Sequence, residues 1–236
     1  MAEYDPATAF GLAQYSNLAY CRKGALKKHF KDPASDFKFL EGAAAGVDTQ
    51  GFMVTHGEGV ILAFRGTQQV VDLATDLWFG PTYHAAAPSS RVHKGFRRAY
   101  EEVRTEMLAE IQERRPSRVF VTGHSLGGAI ATFAALDIAQ EDDNISVTMY
   151  NFGSPRVGDL GFATFYNEHV ADSFRVVAPG DPVTELPSRV SWPVAYRHVN
   201  HERPLGCVAW PLFDHDLAGS YLPRLSSATS GQSFFG

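Results

Sequence analysis

The chain has 236 residues, 44% of them apolar and 20% charged, with a formal charge of −5. A length and balance of this kind suit one soluble globular unit that buries its core without metals or disulfides. The acidic charge argues against a nucleic-acid partner, which needs a basic face, and no run approaches the ~18 apolar residues required to span a bilayer.

Asp5-Pro6 reads as a helix cap with proline in the first turn, opening a helix to about Tyr20. Met1 to Tyr20 has neither a basic n-region nor a continuous apolar stretch, so no secretory signal is expected in it. Localisation stays open between cytoplasmic and secreted, with a leader removed or by a leaderless route. Arg22 to Lys31 is a basic patch, either a solvated face or a region drawn to an anionic lipid surface. Cys21 and Cys207 form no C-x-x-C pair; two free thiols are the simpler reading and one long-range bridge the other.

Strands are predicted at Phe52–Val54 and Val60–Phe64, separated by the turn-prone His56-Gly57-Glu58-Gly59. Lys94 to Arg115 carries Phe96, Tyr100, Val103, Met107, Leu108 and Ile111 close to one helical face, and Pro116 stops it. Arg118–Thr122 is a short buried strand, followed by a helix from Ser125 to Ala139. Strand, helix and strand follow at Ile145–Phe152, Leu160–Val170 and Ser173–Ala178. This alternation predicts βαβ units and a mostly parallel central sheet flanked by helices. With no linker, repeat or second core, residues 1–236 read as a single domain with its core over about 5–222. The Ser/Gly-rich stretch 226–236 reads as a poorly ordered tail.

Between strand and helix lies Gly123-His124-Ser125-Leu126-Gly127-Gly128. A strained turn there presents the Ser125 hydroxyl at the carboxyl end of the sheet, and flanking glycines let it tighten. The first N–H groups of the next helix suit a developing oxyanion. Strand, turn and helix around G-x-S-x-G predict an α/β-hydrolase fold with Ser125 as nucleophile; a glycine-rich turn with a surface serine is the plain alternative.

Several further motifs follow in order. They are Ala63-Phe64-Arg65-Gly66-Thr67, Val92-His93-Lys94-Gly95-Phe96, and Asn151-Phe152-Gly153-Ser154-Pro155-Arg156-Val157-Gly158-Asp159. Together with the Ser125 elbow they resemble the lipase class 3 family, the group that includes the filamentous-fungal triacylglycerol lipases. The likeness covers roughly residues 5 to 222.

A serine hydroxyl needs an adjacent base oriented by a third group, and in this fold the order is Ser, acid, His. Asp142 and Asp143 sit in a charged turn, and Asp159 matches a family position that looks structural. Asp181 follows a strand in Pro179-Gly180-Asp181-Pro182-Val183, with Leu186-Pro187 downstream, and matches the family's acid segment. Beyond it lie His198, His201 and His215. His215, in Asp214-His215-Asp216, resembles the family's base, with His198 as the main alternative. His198-x-x-His201 without a third ligand is weak evidence for a metal site. The Asp181–His215 segment is shorter than in the fungal enzymes.

The oxyanion hole should pair the Leu126 N–H with that of Thr67, the latter implied by the resemblance. Residues 68–79 occupy the family's lid position, with Val70, Val71, Leu73 and Leu77 at partly helical spacing; an ordinary surface helix is the alternative. The family's usual tryptophan is Leu73 here. His124, Trp210, Leu212 and Phe213 are candidates for the substrate pocket. The implied activity is a carboxylic ester hydrolase, foremost a triacylglycerol lipase/esterase working through an acyl-enzyme on lipid or other esters, and able to meet a lipid–water interface. A feruloyl-type esterase or phospholipase A1 would share the motifs, and an inactive lipase-like binding domain is the reading from another class. The chemistry calls for no cofactor and no metal. Oligomeric state is not legible.

Overall fold

The computed structural model describes residues 3–42, 49–57, 59–67, 80–84, 89–190, 194–206 and 214–229. Helix α1 (Pro6–Leu18) starts where expected because the Asp5 carboxylate accepts from the Ala7 and Thr8 amides. Helix α2 (Lys23–His29) buries only Leu26 and leaves the basic residues of this stretch exposed.

Seven strands form the main sheet: β1 (Lys38–Glu41), β2 (Gln50–His56), β3 (Gly59–Phe64), β6 (Arg118–His124), β7 (Ser146–Phe152), β8 (Asp172–Val177) and β9 (His201–Pro204), in that spatial order. β1, β2 and β3 pair antiparallel, and every pairing from β3 to β9 is parallel. A separate antiparallel ribbon joins β4 (Pro81–Tyr83) to β5 (Arg91–His93). The mostly parallel sheet is as expected. β1, β9 and the ribbon are short additions that the apolar pattern did not mark.

Both faces of the sheet are covered, and strand alternation divides the core. Val60, Leu62 and Phe64 of β3 enter one cluster with α3 (Lys94–Arg114), α4 (Leu126–Glu141) and α5 (Leu160–His169). Ile61 and Ala63 enter the other with α1 and α6 (Leu222–Ala228). This is the period-2 rule acting on a doubly covered strand. α3 ends at Arg115, which adopts a left-handed φ of 45° just before Pro116.

The C-terminal boundary requires one correction. Residues 226–228, expected in a loose tail, complete α6, because fully buried Leu225 anchors its turn and Thr229 is buried behind it. Residues 230–236 lie outside the described residues. No helix among the described residues is long and apolar enough to cross a membrane.

Candidate active site

β6 delivers Ser125 to the carboxyl end of the sheet, and α4 begins at the next residue. Ser125 has φ 60° and ψ −128°, a conformation unfavourable for a residue with a Cβ. Its N–H donates to the Phe152 carbonyl at 3.0 Å, and its own carbonyl accepts from Gly128 at 2.9 Å. The flanking glycines are required by contact. A Cβ on Gly123 would be driven into the Gly127 carbonyl, and one on Gly127 into the Phe64 carbonyl.

The structure brings Ser125, His215 and Asp181 together. His215 Nε2 lies 2.8 Å from Ser125 Oγ, and Nδ1 lies 3.0 and 2.9 Å from the two Asp181 oxygens. A carboxylate only accepts, so Nδ1 carries the proton and Nε2 is left to accept from the serine hydroxyl. The Asp181 side chain is fully buried and also receives the Val183 N–H at 2.9 Å and the Tyr221 hydroxyl at 2.6 Å. Burial and the neighbouring Asp181 charge push the Tyr221 hydroxyl well above its ordinary value, so it remains a donor. It accepts from the Ala178 N–H at 3.1 Å.

Asp181 stands at the start of a 3-10 turn, Pro182–Glu185. Arg156, buried to 1% exposure, clamps that turn by donating to the Glu185 carbonyl and, at 2.9 Å, to that of Pro187. The His215 segment is held from its other side by the buried Asp214–Arg224 pair, 2.6 Å apart. Sequence reading missed Tyr20, Tyr221 and Arg156 because each acts across the fold on residues distant in the chain, and Arg224 because its partner Asp214, ten residues before it, matches no local helical or strand spacing.

The alternatives fall elsewhere. His198 Nε2 is bonded to the Thr184 carbonyl at 2.7 Å, and burial and Arg175 push its pKa down to about 3. His201 is exposed on β9. Asp142 and Asp143 are exposed, and Asp159 caps α5 through the Phe162 amide. His124 is only 5% exposed rather than lining an open pocket, because both ring nitrogens are engaged. Nδ1 is 2.8 Å from the Tyr20 hydroxyl, and Nε2 is 2.8 Å from the His215 carbonyl. Burial, reinforced by His215, pushes its pKa down to about 3.

Leu126 is buried at the first position of α4. Gly66, before half-buried Thr67, brings the loop after β3 against the nucleophile: a Cβ there would stand 2.5 Å from the His124 carbonyl and 3.1 Å from Ser125 Cβ. The lid candidates Val70, Val71, Leu73 and Leu77 and the pocket candidates Trp210, Leu212 and Phe213 lie outside the described residues, as does Cys207. Cys21 is a free thiol. Among the described residues no three His, Cys, Asp or Glu side chains gather as metal ligands.

Chemically, a hydroxyl bonded to an imidazole whose other N–H is held by a buried carboxylate can be deprotonated as it attacks a carbonyl. The Lipase (class 3) family profile matches residues 61–191. The chain is 34% identical over 166 residues to a lipase of Rhizomucor miehei, covering 66% of this chain and 46% of that protein. It is 31% identical over 205 residues to the secreted mono- and diacylglycerol lipase 1 of Fusarium solani, covering 80% and 60%. The chain thus spans about half to three-fifths of these relatives' lengths. Among solved structures it is similar to a triacylglycerol lipase whose catalytic centre is described as a serine protease triad (TM-score 0.70, 28% identity, 84% of this chain and 79% of that one). Lipase II from Rhizopus niveus is similar as well (TM-score 0.71, 26% identity, 85% and 82%). The fold is that of the α/β-hydrolases.

Proposed function

Because this chain belongs to the lipase (class 3) family, we propose that it is a carboxylic ester hydrolase acting, as one domain, on acylglycerols or similar lipid esters at a lipid–water interface. The observation that carries this reading is the 2.8 Å contact between His215 Nε2 and Ser125 Oγ, with Asp181 on the other ring nitrogen.

Ser125 Oγ attacks the ester carbonyl carbon as His215 Nε2 takes its proton. The carbonyl oxygen becomes an oxyanion held by the Leu126 and Thr67 N–H groups. Collapse breaks the bond to the alkoxide, which leaves with the proton from His215, and the acyl group stays on Ser125. Water, deprotonated by His215, then attacks the acyl-enzyme, releasing the acid and restoring the serine hydroxyl. Asp181 keeps the imidazole in the required tautomer and stabilises its transient charge.

The lipid substrate is supported by the names of the relatives, among them mono- and diacylglycerol lipases. A fungal lipase–inhibitor complex described as a model for interfacial activation is among the structural neighbours (TM-score 0.63, 28% identity) and supports an interface. In this reading residues 68–79 form the lid. A feruloyl-type esterase or phospholipase A1 would use the same three groups. An inactive binding domain fits poorly with an intact, hydrogen-bonded Ser–His–Asp set.

The test is hydrolysis of a triacylglycerol emulsion, a phospholipid vesicle and a soluble aryl ester, with fluorophosphonate labelling of the protein and of Ser125→Ala. Emulsion hydrolysis and labelling lost in the variant are expected. Absence of both hydrolysis and labelling in the wild type overturns the proposal. An activity that does not rise across the solubility limit of a short-chain ester removes the lid from it.

A further inference from the structure

We propose that Tyr20 and His124 form a positioning relay that ties the base His215 to the nucleophile strand and to the oxyanion loop, a role that rests on the hydrolase reading above.

The hydrogen-bond polarity follows from which groups can only accept. The His215 carbonyl has no proton to give, so the 2.8 Å contact with His124 Nε2 requires the proton to be on Nε2. A neutral ring then has a bare Nδ1, which accepts from the Tyr20 hydroxyl at 2.8 Å. The Tyr20 oxygen also packs against Gly66 so closely that a Cβ there would collide with it. The chain runs from Tyr20 O–H to His124 Nδ1 and from His124 Nε2–H to the His215 carbonyl, with Tyr20 seated against Gly66. It joins the oxyanion loop, the turn after α1, the end of β6 and the base segment, with every donor oriented the same way.

The relay supplies what Asp181 alone does not. Asp181 fixes one edge of the His215 ring, but the ring can still swing with its backbone. His124 fixes that backbone from the residue next to Ser125, so base and nucleophile are referenced to the same strand end. Displacements of about 1 Å at such a site cost on the order of 10²-fold in rate. Neutrality matters as well. The two imidazole centroids are 4.6 Å apart, and a charged His124 would oppose the positive charge that His215 acquires in the transition state. The groups facing His124 are His215, Tyr20, Tyr221 and, through its charge, Asp181.

The test uses kcat and KM on a soluble aryl ester, with folding checked by circular dichroism, for Tyr20→Phe, His124→Leu and His124→Gln. Tyr20→Phe removes one oxygen and should lower kcat about tenfold, and His124→Leu about a hundredfold, each with KM within about twofold. Gln places an amide N–H near the former Nε2 and should recover most of the His124→Leu loss. Losses confined to KM, or equal kcat in the Gln and Leu variants, overturn the relay. Imidazole-nitrogen NMR of the wild type keeps this inference separate from the function. The relay requires a neutral His124 protonated on Nε2 at pH 7. An Nδ1–H tautomer or a charged ring overturns it even where ester hydrolysis is intact. The Nε2–H tautomer in a protein that hydrolyses no ester leaves the hydrogen-bond chain standing but removes the hydrolase reading, and with it the positioning role.

Discussion

Gly153 lies just past β7 with φ +56°, and its N–H donates to the Val176 carbonyl at 3.1 Å. A Cβ built on it would stand 2.6 Å from Asp181 Oδ2, 2.9 Å from the Tyr221 hydroxyl and 3.2 Å from His215 Nδ1. It would therefore press on the acid, its supporting phenol and the base at once. Restoring an ordinary C···O separation of ~3.3 Å needs the carboxylate to retreat by roughly 0.7 Å. The left-handed backbone adds about 1–2 kcal/mol of strain for any residue with a Cβ. Misplacement of this size costs ~10²-fold, and a wholly misoriented base ~10⁴-fold. Gly153→Ala should therefore lower kcat/KM by about 10²–10³-fold, or roughly 3–4 kcal/mol of transition-state stabilisation. Hydrolysis of a soluble aryl ester gives the rate, while far-UV dichroism and a melt establish that the variant is folded. A folded Gly153→Ala protein within threefold of wild-type activity would refute the idea that these three groups meet as the reacting apparatus.

Ser125→Ala should lose at least ~10⁴ in kcat and Asp181→Asn about 10⁴; near-normal turnover in either removes that residue's assigned role. His124 and His198 are held neutral when folded, each pushed down to about 3 by burial, against ~6.5 when unfolded. Between those values the unfolded chain binds protons that the folded one does not. Stability is thus complete above about pH 6.5 and declines as pH falls, by up to about 1.4 kcal/mol per pH unit for each histidine. Urea midpoints at pH 7, 6 and 5 read this directly, and a flat series contradicts it. Arg224→Ala leaves the Asp214 carboxylate buried and unpaired, costing about 3–5 kcal/mol. Urea titration should show a smaller loss for Asp214→Leu/Arg224→Met, and equal losses would mean that the pair is not the source.

What local pattern encodes was legible in the sequence. The unbroken apolar run Val60–Phe64 defines a strand covered on both faces, and the amphipathic run from Lys94 defines α3. Gly123 and Gly127 around Ser125 mark a turn that only a strand-to-helix junction needs. Asp181 was readable because it directly follows a strand and matches the acid segment of the family the chain resembles, and His215 was marked only by its resemblance to the family's base, with His198 left open. The strand, helix and turn signals arise from backbone sterics and side-chain periodicity, which depend on near neighbours alone. β1 was not readable, since Phe39 and Leu40 are too few for a pattern and the strand exists through its register with β2. Only the tertiary structure decided between His198 and His215, because both follow the acid and only folding brings one of them to Ser125. It also turned His124 from a pocket candidate into a buried link to Tyr20, a residue 104 positions away. Contacts over that separation come from how helices and strands pack, and nothing in either residue's neighbourhood in the chain records them.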